Sequence, residues 1–324
     1  MSSEKTYIEK QPLYSLSSLA EKYYKDGKWE FPDGMVIFFE HCTQSEKGYG
    51  SSTCINTRAA INHYQKACDG KLFGEDLFIR VNVDLAPPAL EQKTEAFQAL
   101  NPKGGVPVLV YSMGPNNIMT PLPEDLAITE RFDELYKKID NSEEKSLFGP
   151  SPLVKSLVSR TIQAHALPNP SNRKKIEGIL DEAGIPELEK YTSRLLKDRD
   201  DVIDWLKNIE GILVNTRATG IEMDKVYQSI GGLRVAANAQ NIYRFNDVEI
   251  GGHRNILGEG NFDKVPEIDV SLYPEFCKLN DAVRKLPEFK GAMHGKHQPA
   301  VTEYLGENTA REAGKIGSNN SRSI

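Results

Sequence analysis

A thiol stands four residues ahead of a guanidinium in the segment Cys54-Ile55-Asn56-Thr57-Arg58, where a helical pattern begins. A helix start stabilises a thiolate through its free N–H groups and its dipole, and a nearby arginine adds to that effect. An ionised sulfur at Cys54 could attack a disulfide; Cys54 fits equally well as a small buried apolar residue. The preceding stretch, His41 to Thr53, holds Cys42, Tyr49, Ser51 and Ser52, any of which could take the active position instead. A second constellation is Asn101-Pro102-Lys103-Gly104-Gly105-Val106-Pro107-Val108-Leu109. Proline lacks a ladder donor and belongs at the first residue or edge of a strand. A cis bond before Pro107 would turn the backbone groups of Val106 outward, toward an extended ligand; a plain strand-opening proline satisfies the local pattern too. The third is Glu124-Asp125 at a helix start, where free N–H groups attract a carboxylate and a side-chain carboxylate can take an ammonium group. Asp125 is also simply a favourable helix-start residue. Lys93 reads as a surface charge, His165 as a core or boundary histidine, and Glu40 with His41 as a conceivable acid–base pair.

The elements that must position these groups follow from periodicity. Met35 to Phe39 is a short apolar run and reads as a buried strand. A helix follows from Cys54 to Ala67, and Leu77 to Val83 alternates as a second strand. That order implies a right-handed parallel crossover. Next come a helix over 89–100, a strand over 106–111, turn residues at 113–117 and a short strand at 118–120, paired antiparallel. A helix from Glu124 to Lys137 carries Ile128, Phe132, Leu135 and Tyr136 on one stripe. The order β-α-β-α-β-β-α is a thioredoxin-like α/β layout.

Beyond a linker at 140–152 no strand pattern recurs. Helical faces run through Leu153, Val154, Leu157, Val158 and Ile162, through Val202, Trp205, Leu206, Ile209 and Leu213, and through Phe276, Leu279, Val283 and Leu286. The second half therefore reads as an all-α helical bundle. The organisation predicted is an N-terminal extension over 1–33, an α/β domain over 34–139, a helical domain over 150–305 and a disordered tail over 306–324. The 324 residues suit two domains, with 39% hydrophobic and 27% charged residues. A net charge of -6 argues against an electrostatic nucleic-acid binder. No apolar run approaches the ~18 residues that a membrane span requires. The chain start lacks the apolar core of a secretory signal, which makes the cytosol the default location. Four scattered cysteines suggest neither a disulfide framework nor a metal site.

The segment at 101–109 resembles the glutathione transferase pattern Asn-Pro-x-Gly-x-Val-Pro-x-Leu. Glu124-Asp125-Leu126-Ala127-Ile128 looks like the same family's Glu-Ser-x-Ala-Ile, and Cys54-Ile55-Asn56-Thr57-Arg58 resembles the opening of its first helix. The resemblance implies a cis Val106–Pro107 bond and pairing of Val106 with the cysteinyl backbone of glutathione. It implies that Glu124 and Asp125 hold the γ-glutamyl end and that Lys93 lies near the glycine carboxylate. Cys54 falls at the catalytic position of the serine/cysteine-type members. Asp125 replaces the usual Ser or Thr and brings a negative charge to where a ligand carboxylate approaches. Residues 273–289 match the family's last core helix, and Thr219 to Glu222 could form a capping box. The implied activity is glutathione-dependent thiol transfer, deglutathionylation or conjugation of a small electrophilic or disulfide substrate by a homodimer. The same resemblance admits a non-catalytic scaffold or interaction module.

Overall fold

A computed structural model of the chain describes residues 5–42, 50–85, 89–112, 121–140, 144–149, 179, 181–182, 187–247 and 253–293. The central sheet has the order β1-β5-β4-β6-β7. Its strands are β1 (Leu13–Ser15), β4 (Met35–Glu40), β5 (Leu77–Asn82), β6 (Val108–Ser112) and β7 (Leu122–Pro123). β1, β5 and β4 are mutually parallel, with Met35 opposite Leu77, while β6 runs antiparallel to β4 and β7 antiparallel to β6. The crossover from β4 to β5 is α3 (Ser52–Ala67), and α5 (Asp125–Asp140) follows β7.

Every residue of β4 is buried, because both faces of the sheet are covered. Val36 and Phe38 point to one core with Tyr64 of α3 and Ile128 and Phe132 of α5. Ile37 and Phe39 point to the other, against Leu16, Leu19, Trp29, Phe31 and Phe97. The chain before Gly34 thus supplies an edge strand and much of the cover for one sheet face. It does so through β1, α2 (Leu16–Tyr23) and the hairpin of β2 (Tyr24–Lys25) with β3 (Lys28–Trp29), while α1 (Tyr7–Lys10) packs on α3 with Ile8 in the opposite core. The Trp29 ring stacks on Phe31 at 4.9 Å, and its N–H donates to the Ala96 carbonyl at 2.8 Å.

The single helix expected over 89–100 is interrupted. A 3-10 turn covers Glu91–Lys93, and α4 (Glu95–Gln98) restarts because the Thr94 hydroxyl accepts the Phe97 N–H. The expected strand at 118–120 lies outside the described residues; the observed partner of β6 is β7.

The second half is helical: α6 (Leu188–Ala218), α7 (Met223–Tyr227), α8 (Ile230–Asn246), α9 (Pro274–Lys285) and α10 (Pro287–Lys290), with 3-10 turns between 254 and 272. α8 packs on α3 and on α9, which joins the helical half to the sheet. The capping box expected at Thr219 to Glu222 does not form: Thr219 ends α6, and the Glu222 side chain caps nothing. The side-chain cap sits at Ser229, which accepts the Gly232 N–H at 3.3 Å at the start of α8. The faces expected at 153–162, His165 and the tail at 306–324 lie outside the described residues.

Candidate functional site

The bond between Val106 and Pro107 is cis. The turn before it is built by Asn101, whose amide donates to the Gly105 carbonyl at 2.8 Å and whose side-chain oxygen accepts the Lys103 N–H at 3.2 Å. Gly104 has φ +68, with the Gln92 carbonyl only 3.0 Å from where a Cβ would stand, so the close approach and the left-handed backbone both require glycine. Val106 is therefore held, half-buried, beside the head of α3.

Ser51 caps α3, accepting the Cys54 N–H at 3.5 Å, one residue upstream of its first turn. The Thr53 hydroxyl donates to the Val106 carbonyl at 3.2 Å, which leaves its oxygen to accept from Ser51 at 2.9 Å. Two half-buried hydroxyls thus form a continuous hydrogen-bonded chain at the helix start that ends on the Val106 carbonyl as acceptor.

Cys54 lies one step inside this group. Its sulfur is fully buried and accepts the His41 N–H at 3.3 Å. Burial pushes its pKa up to about 11, outweighing Arg58, which pulls it down. The thiolate expected from the helix start does not follow from this environment. Arg58 is committed elsewhere: it pairs with Glu40, donates to Cys42 Sγ at 3.4 Å and to the Ala292 carbonyl at 2.5 Å. Arg80 also binds Glu40, at 2.6 Å, and Cys42 Sγ at 3.3 Å. Burial alone would raise the Glu40 pKa, but the two guanidiniums hold it below the usual carboxylate range. The proposed Glu40–His41 acid–base pair is therefore replaced by a Glu40–Arg58–Arg80 cluster, while His41 Nδ1 faces the Val83 carbonyl at 3.0 Å. Burial pushes Cys42 up to about 12. Tyr49 lies outside the described residues.

At the head of α5, Glu124 has φ +80, a left-handed conformation that costs a non-glycine residue on the order of 1 kcal/mol or more. That turn leaves Glu124 exposed and Asp125 buried. Asp125 meets Asn56 Nδ2 of α3 at 2.9 Å and Arg234 Nη1 of α8 at 3.4 Å. The repulsion expected from its charge is therefore countered within the protein. Neither Asn56 nor Arg234 stood out in the sequence. Lys93 is exposed in its 3-10 turn.

A separate cleft of about 550 Å³ opens near the far end of α3, lined among others by His63, Lys66, Leu147, Leu233 and Glu288. Its polar groups engage one another, with Lys66 on Glu288 at 2.5 Å and His63 on the Lys145 carbonyl at 2.7 Å.

The fold is that of the glutathione transferases, a thioredoxin-like sheet domain joined to a helical region. It is similar to the trimeric glutathione transferase TDR1 of Leishmania, with a TM-score of 0.51 and 12% identity, over 86% of this chain and 49% of that one. This chain thus aligns with only about half the length of the Leishmania enzyme. Ure2p in complex with glutathione matches at a TM-score of 0.48 and 15% identity, over 81% and 94% of the two chains. A poplar glutathione transferase F1 mutant matches at 0.48 and 18%, over 80% and 96%. No protein-family model and no curated protein sequence matches the chain. Among the described residues no helix is long and apolar enough to cross a membrane.

Proposed function

We propose that this protein binds glutathione in the groove between the Val106 edge and the heads of α3 and α5, and acts as a glutathione transferase. The observation that carries the reading is the hydrogen-bonded chain from Ser51 through Thr53 to the Val106 carbonyl. Glutathione would bring the reacting thiol. The Ser51 and Thr53 hydroxyls stand beside Val106, and by turning their protons away from Thr53 and the Val106 carbonyl toward a sulfur anion they would lower the barrier to forming it. Conjugation of an electrophile is favoured over thiol transfer or deglutathionylation through Cys54, because the latter needs a thiolate in the buried interior. Glu124, Asp125 and Lys93 remain the proposed contacts for the ends of the tripeptide.

A second reading, a scaffold without catalysis, draws on the fact that the Val106 carbonyl and the Asp125 carboxylate already have partners within the chain. The test is retention on immobilised glutathione, followed by conjugation and mixed-disulfide assays with wild type, Ser51→Ala, Thr53→Val and Cys54→Ser. We expect retention, conjugation reduced at least about tenfold by the loss of a hydroxyl donor, and activity that survives Cys54→Ser. Retention without either activity would favour the scaffold. Abolition of mixed-disulfide reduction by Cys54→Ser alone would restore the thiol-transfer assignment.

A further inference from the structure

We propose that the cleft at the far end of α3 is a binding site for a short zwitterionic peptide with apolar side chains. This site is separate from the Val106 groove and does not rest on the glutathione reading. The cleft holds about 550 Å³, within the range of small-molecule sites. α3 lines it with Ala59, His63, Lys66 and Ala67, a spacing that puts all four on one helical face. The other walls include Leu147 of the linker, Leu233 of α8 and Leu286 just before α10. Hydrogen bonds fix these walls to one another. Tyr64 Oη accepts the Leu147 N–H at 3.0 Å, and the Leu147 carbonyl accepts the Ile230 N–H at 2.9 Å. Asn62 Nδ2 of α3 donates to the Glu288 carbonyl of α10 at 2.9 Å. A cleft held open in this way needs little ordering when a ligand enters.

Charge on the rim selects the occupant. Lys66, Asp69, Lys145 and Glu288 line the cleft, and their charges sum to zero. A ligand of either net charge therefore finds no field to draw it in. Lys66 and Glu288 already pair at 2.5 Å. Asp69 and Lys145 are exposed, and neither side chain has an ion pair or hydrogen bond among the described residues. Both stand close to the Cys68 thiol: burial and then Asp140 push its pKa up, Lys145 pulls it down and Asp69 adds to the rise. A free cation and a free anion near one point match the carboxylate and the ammonium of one ligand. Two uncharged polar groups share the lining. Burial pushes the His63 pKa below the ordinary imidazole value, so the ring is neutral, and its Nε2–H donates to the Lys145 carbonyl at 2.7 Å. That leaves Nδ1 as an acceptor without a partner among the described residues, and Gln228 brings an amide. An acceptor and an amide complement the N–H and C=O of a peptide bond. The alanines and leucines offer apolar wall to its side chains.

The test is titration calorimetry of the full chain with leucyl-phenylalanine. Saturable one-to-one binding is expected, with a Kd of about 1 mM or tighter. Glycyl-glycine, with the same charged ends and no apolar side chains, should bind at least about tenfold more weakly. Leucyl-phenylalanine amide lacks the carboxylate, and N-acetyl-leucyl-phenylalanine lacks the ammonium. Each should bind about threefold to fivefold more weakly than the free dipeptide, the scale of an exposed ion pair. The variants should divide these two losses. Lys145→Gln should erase the discrimination against the amide and keep that against the acetyl peptide. Asp69→Asn should do the reverse, since asparagine tolerates the left-handed φ of +51 at that position. The discrimination that each variant keeps also shows that it is folded. Absence of binding, equal affinity for the free and blocked peptides, glycyl-glycine binding as well as leucyl-phenylalanine, or a variant that loses both discriminations or neither overturns the proposal.

Discussion

The head of α3 and the interior one turn further along it hold similar chemical groups in opposite conditions. At the head, Ser51 and Thr53 are half-buried and pass hydrogen bonds outward to Val106. One turn in, Cys54, Cys42, Arg58 and Glu40 are the more reactive residue types, yet all are buried; Arg58 bonds Glu40 and Cys42, and Cys54 takes the His41 N–H. Reactivity follows solvent access and the cost of charge in the interior more than residue type. The cluster has the character of a structural anchor: it ties the end of β4 to α3, to β5 and, through the carbonyls of Ile8 and Ala292, to both ends of the described chain.

The largest effect that would break this contrast is at Glu40. Glu40→Gln leaves two guanidiniums buried without their anion, and removing one partner of such a group costs about 3–5 kcal/mol. Urea denaturation should show the loss; a change under 1 kcal/mol would mean that the cluster is not the anchor described here. A smaller effect concerns the thiols. With pKa values of about 12 and about 11, Cys42 and Cys54 are almost wholly protonated at pH 8. Native labelling of these two by a thiol reagent should be at least roughly a hundredfold slower than in the unfolded chain, rising with pH because the thiolate is the reactive form. Rapid native labelling of Cys54 at pH 7 would bring it back as a nucleophile.

Much of this was legible beforehand where local pattern decides the outcome. The apolar run at 35–39, the alternation at 77–83 and the stripe Ile128–Phe132–Leu135 each appear as the expected strand or helix, since neighbours in sequence set the burial period. The Asn-Pro-x-Gly turn and the cis bond at Pro107 were legible from the resemblance. What stayed hidden was set by partners far apart in the chain. Glu40 looked catalytic because Arg80, its counter-ion, comes from another strand. Asp125 looked repulsive because Arg234 belongs to the helical half. The segment before β4 was too polar overall to suggest a core role, yet Leu16, Leu19, Trp29 and Phe31 close one face of the sheet.

The smallest effect sharpens the comparison most. Ser51 is both the cap of α3 and a donor in the chain to Val106, so its loss should register twice, on different instruments. As a cap, Ser51→Ala should cost about 1 kcal/mol of stability. Ser51→Asp keeps an acceptor for the Cys54 N–H but brings a negative charge to the place where a sulfur anion would sit. It should melt near wild type while losing conjugation activity as fully as Ser51→Ala. If both variants lose stability and activity in step, the hydroxyl is only holding the helix end, and the head of α3 is no more chemical than its interior. If Ser51→Asp is stable and inactive, the outward-facing hydroxyls are the working groups and the buried thiols are part of the frame.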